Sequence, residues 1–307
     1  VGFKKGIPMS ESYLLHPATF KLDGGAMFGI IPKPLWEKQR NADEFNRIDL
    51  SLRLWLIKSA SRVVIVDTGI GDYHDPKFQT RFAIKGGTQP LTHLLQTELQ
   101  MKPQDVTDVI ITHLHFDHVG GLGESHDSTQ TPVFPFPRAR VHIHRQHYNY
   151  ALAPTVRDQG SFQSEIFHPM IEKLDQAERV VWHQGEAGTL ISDNEVHLSY
   201  RISHGHTPFL MHPYNHKFIY MADLVPTVSH VPLPWVMGYD IYPGQTVKDK
   251  AQFYDFIAEK NLTMIFEHDT HTWGSQVRKN SPHDYEATGL QKIPLPKVSE
   301  SKILKIE

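Results

Sequence analysis

Residues 112–121 read "THLHFDHVGG", with three imidazoles and a carboxylate inside six positions and two glycines close behind. Imidazole and carboxylate at that density are metal-ligand chemistry. His113 and His115 are spaced i, i+2, so on extended backbone they project to one side and can grip one cation. Asp117 joins that side if the extension continues. A turn at His118 would aim that ring at a second cation, and Gly120 and Gly121 let the chain turn sharply there. A zinc-type catalytic site takes three protein ligands and keeps a position open for water. One stretch therefore cannot fill two sites and must borrow, the candidates being His206 in "SHGHTP", Asp223 in "YMADLVPT" and His268 in "FEHD". A single histidine after a strand is ordinarily a hydrogen-bonded or surface group. The full H-x-H-x-D-H string, directly after the apolar "VIIT", points to function.

Strands must present these groups. "DVIITH" (108–113) reads as a buried strand running into the cluster, and "RVVIVDTGIG" (62–71) as a strand ending at Asp67. "EVHLSYRISHGHT", "KFIYMAD" and "TMIFEHD" read as strands that end near His206, Asp223 and His268. "SLRLWLIK" (51–58) alternates like a half-buried strand, and "ARVHIHR" (139–145) is another strand. Helical spacing appears over 89–100, 161–177 and 246–260, the last with Thr246 as cap. The tail 291–307 shows little pattern and is expected to drape over the surface. Strands alternating with helices give an α/β class, read as one domain over 1–307, with polar groups on loops held by a rigid sheet.

Composition excludes several alternatives. The 307 residues contain no cysteine, so disulfides and thiolate sites are out. Net charge is −3 without a basic block, which argues against a nucleic-acid partner. No apolar run reaches the ~18 residues of a membrane span. The N-terminal residues lack a signal-peptide core, so a cytoplasmic location is expected, with a processed periplasmic or secreted form left open. Among 21 histidines, His142 and His144 repeat the i, i+2 spacing without a following Asp-His and read as structural. His204 is expected to pack or hydrogen-bond behind the site. His268, at its strand end, is preferred over His271. The glycine-rich apolar stretch 23–36, inside an N-terminal loop 20–40, is expected to form a lip, with Met27, Phe28, Ile30 and Trp36 as an apolar wall; the alternative is a loop buried in the core. Trp235 and Met237 would complete the pocket or simply pack, and the insertion 145–180 is a further pocket element.

The string at 113–118, with Asp67 before it and His206, Asp223 and His268 after it, resembles the metallo-β-lactamase superfamily in residue type and order. That resemblance implies an αββα four-layer sandwich with a dinuclear site at one edge. It also implies that His113, His115 and His206 hold one metal, that Asp117, His118 and His268 hold the other, and that Asp223 bridges them. Asp67 would orient ligands from behind. Five imidazoles and two carboxylates suit zinc, with iron, cobalt or manganese tolerable. The absent cysteine disfavours β-lactamases that use one as ligand, and a histidine at 115 disfavours the flavodiiron oxidoreductases, which carry glutamate there. "LDGGAMFGIIPKPLW" and "MADLVPT…PWVMGYDIYP" resemble the branch of YtnP-type quorum-quenching lactonases and methyl parathion hydrolase. The implied activity is opening of a lactone ring, of the acyl-homoserine-lactone kind, by a metal-bridging hydroxide, with Asp117 returning a proton to the leaving oxygen. The alternative is phosphotriester hydrolysis, or another ester or thioester substrate. The small acyl-homoserine lactonases place a substrate-contacting tyrosine three residues after the bridging aspartate, where this chain has Pro226. The apolar N-terminal loop and family habit suggest a homodimer.

Overall fold

The apolar runs become central strands. In the computed structural model, which describes residues 10–86, 91–124, 132–293 and 302–307, two seven-stranded sheets face each other. The chain first lays down β1 (Glu11–Asp23), β2 (Arg47–Lys58), β3 (Val63–Val66), β4 (Asp108–Ile110), β5 (Arg140–His144) and β6 (Val180–His183). It then builds the second sheet from β7 (Ala187–Ser192), β8 (His197–Ser203), β9 (Leu210–Tyr214), β10 (Phe218–Tyr220), β11 (Thr263–Ile265), β12 (Thr272–Ser281) and β13 (Asp284–Lys292). The last strand, β14 (Ile303–Ile306), returns to pair antiparallel with β1. Strands β3 to β6 are mutually parallel, and β10 pairs parallel with β11. The helices are α1 (Gly24–Phe28), α2 (Lys33–Trp36), α3 (Pro76–Arg81), α4 (Leu91–Leu99), α5 (Phe116–Val119), α6 (Arg145–Leu152), α7 (Ser164–Gln176) and α8 (Pro243–Lys260).

Three apolar clusters hold the layers. Leu14, Trp55, Val64, Val66 and Ile110 of the first sheet pack against Leu198, Ile202, Met211, Ile219 and Met264 of the second, making the dry layer between the sheets. Phe253, Tyr254 and Ile257 of α8 seal the second sheet in the same cluster. Leu94 and Leu95 of α4 join Ile171 and Leu174 of α7 on Ile65, Val109 and Val141, covering the outer face of the first sheet. The third cluster gathers Phe20, Met27, Phe28, Trp36, Leu50, Phe116 and Met237 at one end of the sandwich. The αββα layering expected from the sequence is what forms. None of the helices described is long and apolar enough to cross a membrane.

Three local expectations need correction. β2 is not half-buried: nine of its twelve residues are buried, including Ser51 and Arg53. The Arg53 guanidinium donates to the carbonyls of Phe266 and Asp269, so its burial is compensated by hydrogen bonds. The tail does not merely drape, because 303–306 adds a strand at a sheet edge; residues 294–301 lie outside those described. The third helix of the sequence reading begins at Pro243 rather than Thr246, since proline suits the first helical turn and Thr246 is buried inside it.

Candidate metal centre

Five loops meet at one end of the sandwich, each leaving the end of a strand. β4 delivers Thr112 to His115, and the extension stops there, because His115 caps the short helix α5. Asp117 therefore sits on a helical turn beside His118, not in line with His113 and His115. Gly120 and Gly121 serve close approach rather than unusual torsion: a Cβ would lie 2.2 Å from the Ile70 carbonyl oxygen at Gly120, and 2.1 Å from that of Thr68 at Gly121. The 68–71 loop thus lies directly against the turn, tied by Thr68 N to His118 O at 2.8 Å.

The distances sort the seven side chains into two groups. His113 Nε2 lies 3.1 Å from His115 Nδ1, which lies 3.3 Å from His206 Nε2. Asp223 Oδ2 completes this set, 3.1 Å from His206 Nε2 and 3.9 Å from His113 Nε2. In the second group, Asp117 Oδ2 is 3.8 Å from His118 Nε2 and 3.6 Å from His268 Nε2. Asp223 Oδ1 turns to this side, 3.5 Å from His118 Nε2 and 3.0 Å from His268 Nε2. Four ligands at ~2.0–2.1 Å around a tetrahedral ion stand about 3.3 Å from one another. The observed spacings bracket that value. His118 Nε2 and Asp223 Oδ1 are buried without a hydrogen-bond partner, a costly arrangement for a ring and a carboxylate unless something else binds there. The donor set and its unmet atoms fit a pair of divalent cations.

Charge tells the same story. Burial opposes ionisation of Asp223, yet the rings of His206, His118 and His268 hold its carboxyl well below the usual carboxylate range. Burial likewise opposes protonation of His206 and His268, but Asp223 outweighs it and lifts both to about 9. Burial, reinforced by neighbouring rings, keeps His113 and His115 well below their ordinary value. The centre is thus an anionic carboxylate in a buried nest of imidazoles, a place where cations can replace protons.

Behind the ligands stand groups that fix them. Asp67, with φ at 58°, accepts from Thr112 N and Thr112 Oγ1 at 2.8 Å each, and its Oδ2 lies 3.0 Å from His118 Nδ1. Glu267, immediately before His268, puts Oε2 at 3.0 Å from the same Nδ1. Burial pushes Glu267 up to about 7 against the pull of His118. Asp240 Oδ1 lies 2.9 Å from His206 Nδ1. His147 Nε2 accepts the N–H of Leu114 at 2.8 Å, fixing the backbone between His113 and His115. The sequence reading found Asp67 but missed Asp240, Glu267 and His147. Only Glu267 carried a signal, its adjacency to His268. His204, expected behind the site, turns to Glu186 at 2.9 Å and packs edge-on against Phe209.

The expected pocket residues divide. Met27, Phe28 and Trp36 are buried in the third cluster, where the Phe28 ring stacks on Trp36 and on His230. Met237 is buried with them, Trp235 is half-buried edge-on to Phe28, and Ile30 is 85% exposed. This cluster reaches the centre through Phe20, 5.6 Å from the His268 ring, and through Phe116, next to Asp117. The stretch 23–36 is therefore two short helices packed into the end of the sandwich, with Ile30 at their outer tip. His142 of the second i, i+2 pair bridges Asp108 and His183 at 3.0 Å each, away from the centre. A cavity of about 710 Å³ opens at the opposite end of the sandwich, among Glu11, Ile57, Asp193, Phe218 and Lys305, and shares no residue with the cluster.

Known proteins share this fold. A probable metal-dependent hydrolase from Staphylococcus aureus superposes with a TM-score of 0.76 at 25% identity, over 92% of this chain and 99% of that one. AidC, a dizinc quorum-quenching lactonase, gives 0.68 at 20% identity over 94% and 97%. The N-acyl homoserine lactonase AttM of Agrobacterium fabrum is 24% identical over 190 residues, which span 61% of this chain and 66% of that protein. The model of the metallo-beta-lactamase superfamily matches residues 54–272, most of the chain and all seven clustered side chains, and the chain belongs to that superfamily.

Proposed function

We propose that this chain is a dinuclear-metal hydrolase that opens lactone rings bearing an apolar acyl substituent, of the N-acyl homoserine lactone kind. One observation carries the reading: two buried ligand groups share Asp223, one carboxylate oxygen facing each. His113, His115 and His206 would hold one ion, and Asp117, His118 and His268 the other. Five imidazoles and two carboxylates suit zinc, and also iron, cobalt or manganese. When bound, a pair of such ions supplies Lewis acidity and brings the pKa of water near neutrality. The chain's own residues do the rest. Asp117 closes the second group and would carry a proton to the ring oxygen as the C–O bond breaks. Asp67 and Glu267 fix the His118 ring, and Asp240 the His206 ring, each through its far nitrogen. Phe20, Phe116 and Phe162 wall the rings and exclude bulk water. The names of AttM and AidC support a lactone as substrate.

Elemental analysis, coupled on one preparation to turnover of a long-chain N-acyl lactone and a phosphotriester, tests the reading. Two ions per chain and lactone turnover are expected, both lost in Asp223→Asn. Turnover of the phosphotriester with every lactone flat would move the substrate class to organophosphates.

A further inference from the structure

The segment from Pro232 to Tyr242 has no regular secondary structure, yet it is fastened on every side. The buried Lys250 of α8 donates to the carbonyls of Pro232 at 2.8 Å, Leu233 at 3.2 Å and Trp235 at 3.1 Å. Gly238 N donates to Ala26 O of α1 at 2.8 Å, and Tyr242 N to Gly205 O at 2.8 Å. Arg157, from the insertion after α6, donates to the carbonyls of Gly238 and Asp240, on both sides of Tyr239. Asp240 itself is the carboxylate on His206. So the backbone that carries Tyr239 is locked to a ligand of the centre by one intervening side chain.

Within this locked stretch Val236, Met237 and Asp240 are buried and committed to packing or hydrogen bonds. Tyr239 differs. Its ring is half-buried against the third cluster, the one that reaches the centre through Phe20 and Phe116. Its hydroxyl makes no hydrogen bond among the described residues. Asp23, the exposed N-cap of α1, and Asp117, in the centre, both lie within electrostatic reach of it. Burial, then these two carboxylates, pushes the phenol up to about 12, so it keeps its proton. A rigidly mounted, uncommitted O–H within electrostatic reach of the centre is a donor awaiting an acceptor. Burial by itself favours the protonated phenol, which leaves donation as its use. Pro226, three residues after Asp223, offers no donor, and its carbonyl is taken by His268 N at 3.0 Å.

We propose that the Tyr239 hydroxyl donates a hydrogen bond to a carbonyl oxygen of the bound ester in front of Asp117, and so is a substrate-contacting catalytic residue. This rests on the hydrolase reading above. The chemistry it selects is a substrate with an acceptor oxygen at that point, as an acyl ester or lactone carbonyl is, rather than an ether.

The test is Tyr239→Phe, which keeps the ring and its packing and removes one oxygen. On the metal-loaded protein, kcat/KM for an N-acyl lactone should fall by ~10- to 100-fold, the loss of one positioned donor. The ring-opened hydroxy acid, used as a competitive inhibitor, should bind several-fold more weakly. Metal content and melting temperature should match the parent, which separates contact with substrate from a structural role. If Y239F equals the parent within twofold in both turnover and product binding while the parent hydrolyses lactones, the assignment to Tyr239 falls and the hydrolase reading stands. If the parent binds two ions yet turns over no lactone or ester in the panel, the hydrolase reading falls and takes this assignment with it.

Discussion

Replacing Asp240 by alanine should loosen one ion and leave the other in place. Asp240 is buried, and its Oδ1 sits 2.9 Å from His206 Nδ1, so it fixes both the tautomer and the direction of that ring. A hydrogen bond of this kind to a charged group is worth about 1.5–3 kcal/mol. At ~1.4 kcal/mol per tenfold in binding, its loss weakens the ion at His113, His115 and His206 by about 10- to 100-fold. The ion at Asp117, His118 and His268 depends instead on Asp67, Glu267 and the Ser51 carbonyl, which accepts from His268 Nδ1 at 2.9 Å. Competition against a graded series of chelators, with bound metal counted by elemental analysis, resolves the two affinities. Asp240→Asn keeps an oxygen able to accept from Nδ1–H and should retain most of the parent affinity. Folding itself should change little, because the other side-chain bond of Asp240, from Met237 N, is long at 3.3 Å. Equal affinity for both ions in D240A, or parallel loss of both, would refute the reasoning.

Two further outcomes follow from the same geometry. Gly121→Ala drives a Cβ to 2.1 Å from the Thr68 carbonyl oxygen, a backbone atom that no rotamer change can move. A loss of about 3 kcal/mol or more is expected, visible as a lower urea midpoint and reduced metal retention, whereas parent-like stability would show that the two loops can part freely. The second concerns acid. Burial is the main cause that holds His147 near 4 and His212 and His230 near 3, while the unfolded chain protonates near 6.5. Folded values depressed in this way mean that stability is full above about pH 6.5 and falls as pH drops toward 4, by ~1.4 kcal/mol per unit for each ring. Urea midpoints at pH 7, 6 and 5 should show that slope, and His212→Asn should flatten it; an unchanged slope in H212N would refute the attribution.

Much of the centre was legible because its chemistry is written locally. Four of the seven clustered side chains sit within six residues after an apolar strand, and the other three each follow a strand of their own. The alternation of strands and helices implied only the α/β class, and the four-layer sandwich came with the family resemblance. What was hidden depends on partners far apart in sequence. Asp240 meets His206 across 34 positions and His147 meets Leu114 across 33, with no periodicity to announce either. The burial of Arg53 was masked because an alternating pattern predicts one wet face, and only the Phe266 and Asp269 carbonyls make a dry one tolerable. The β12–β13 hairpin also escaped notice, since at the edge of a sheet its residues are largely polar and carry little apolar alternation. The glycine pair was legible as a place where a Cβ would clash, but the 68–71 loop that it would meet was not.

His113, His115, Asp117 and His118 hang from the first sheet, while His206, Asp223 and His268 hang from the second. Each group therefore draws on both halves of the sandwich, so an ion held in either is a clasp between two layers, added to the backbone bonds from Ser51 N to His268 O and from Met211 N to Thr112 O, 3.0 Å each. Pulling the layers apart there would tear every bound cation from half of its donors at once. Conversely, a chelator must overcome the clamping of the whole molecule and not merely the affinity of a surface loop.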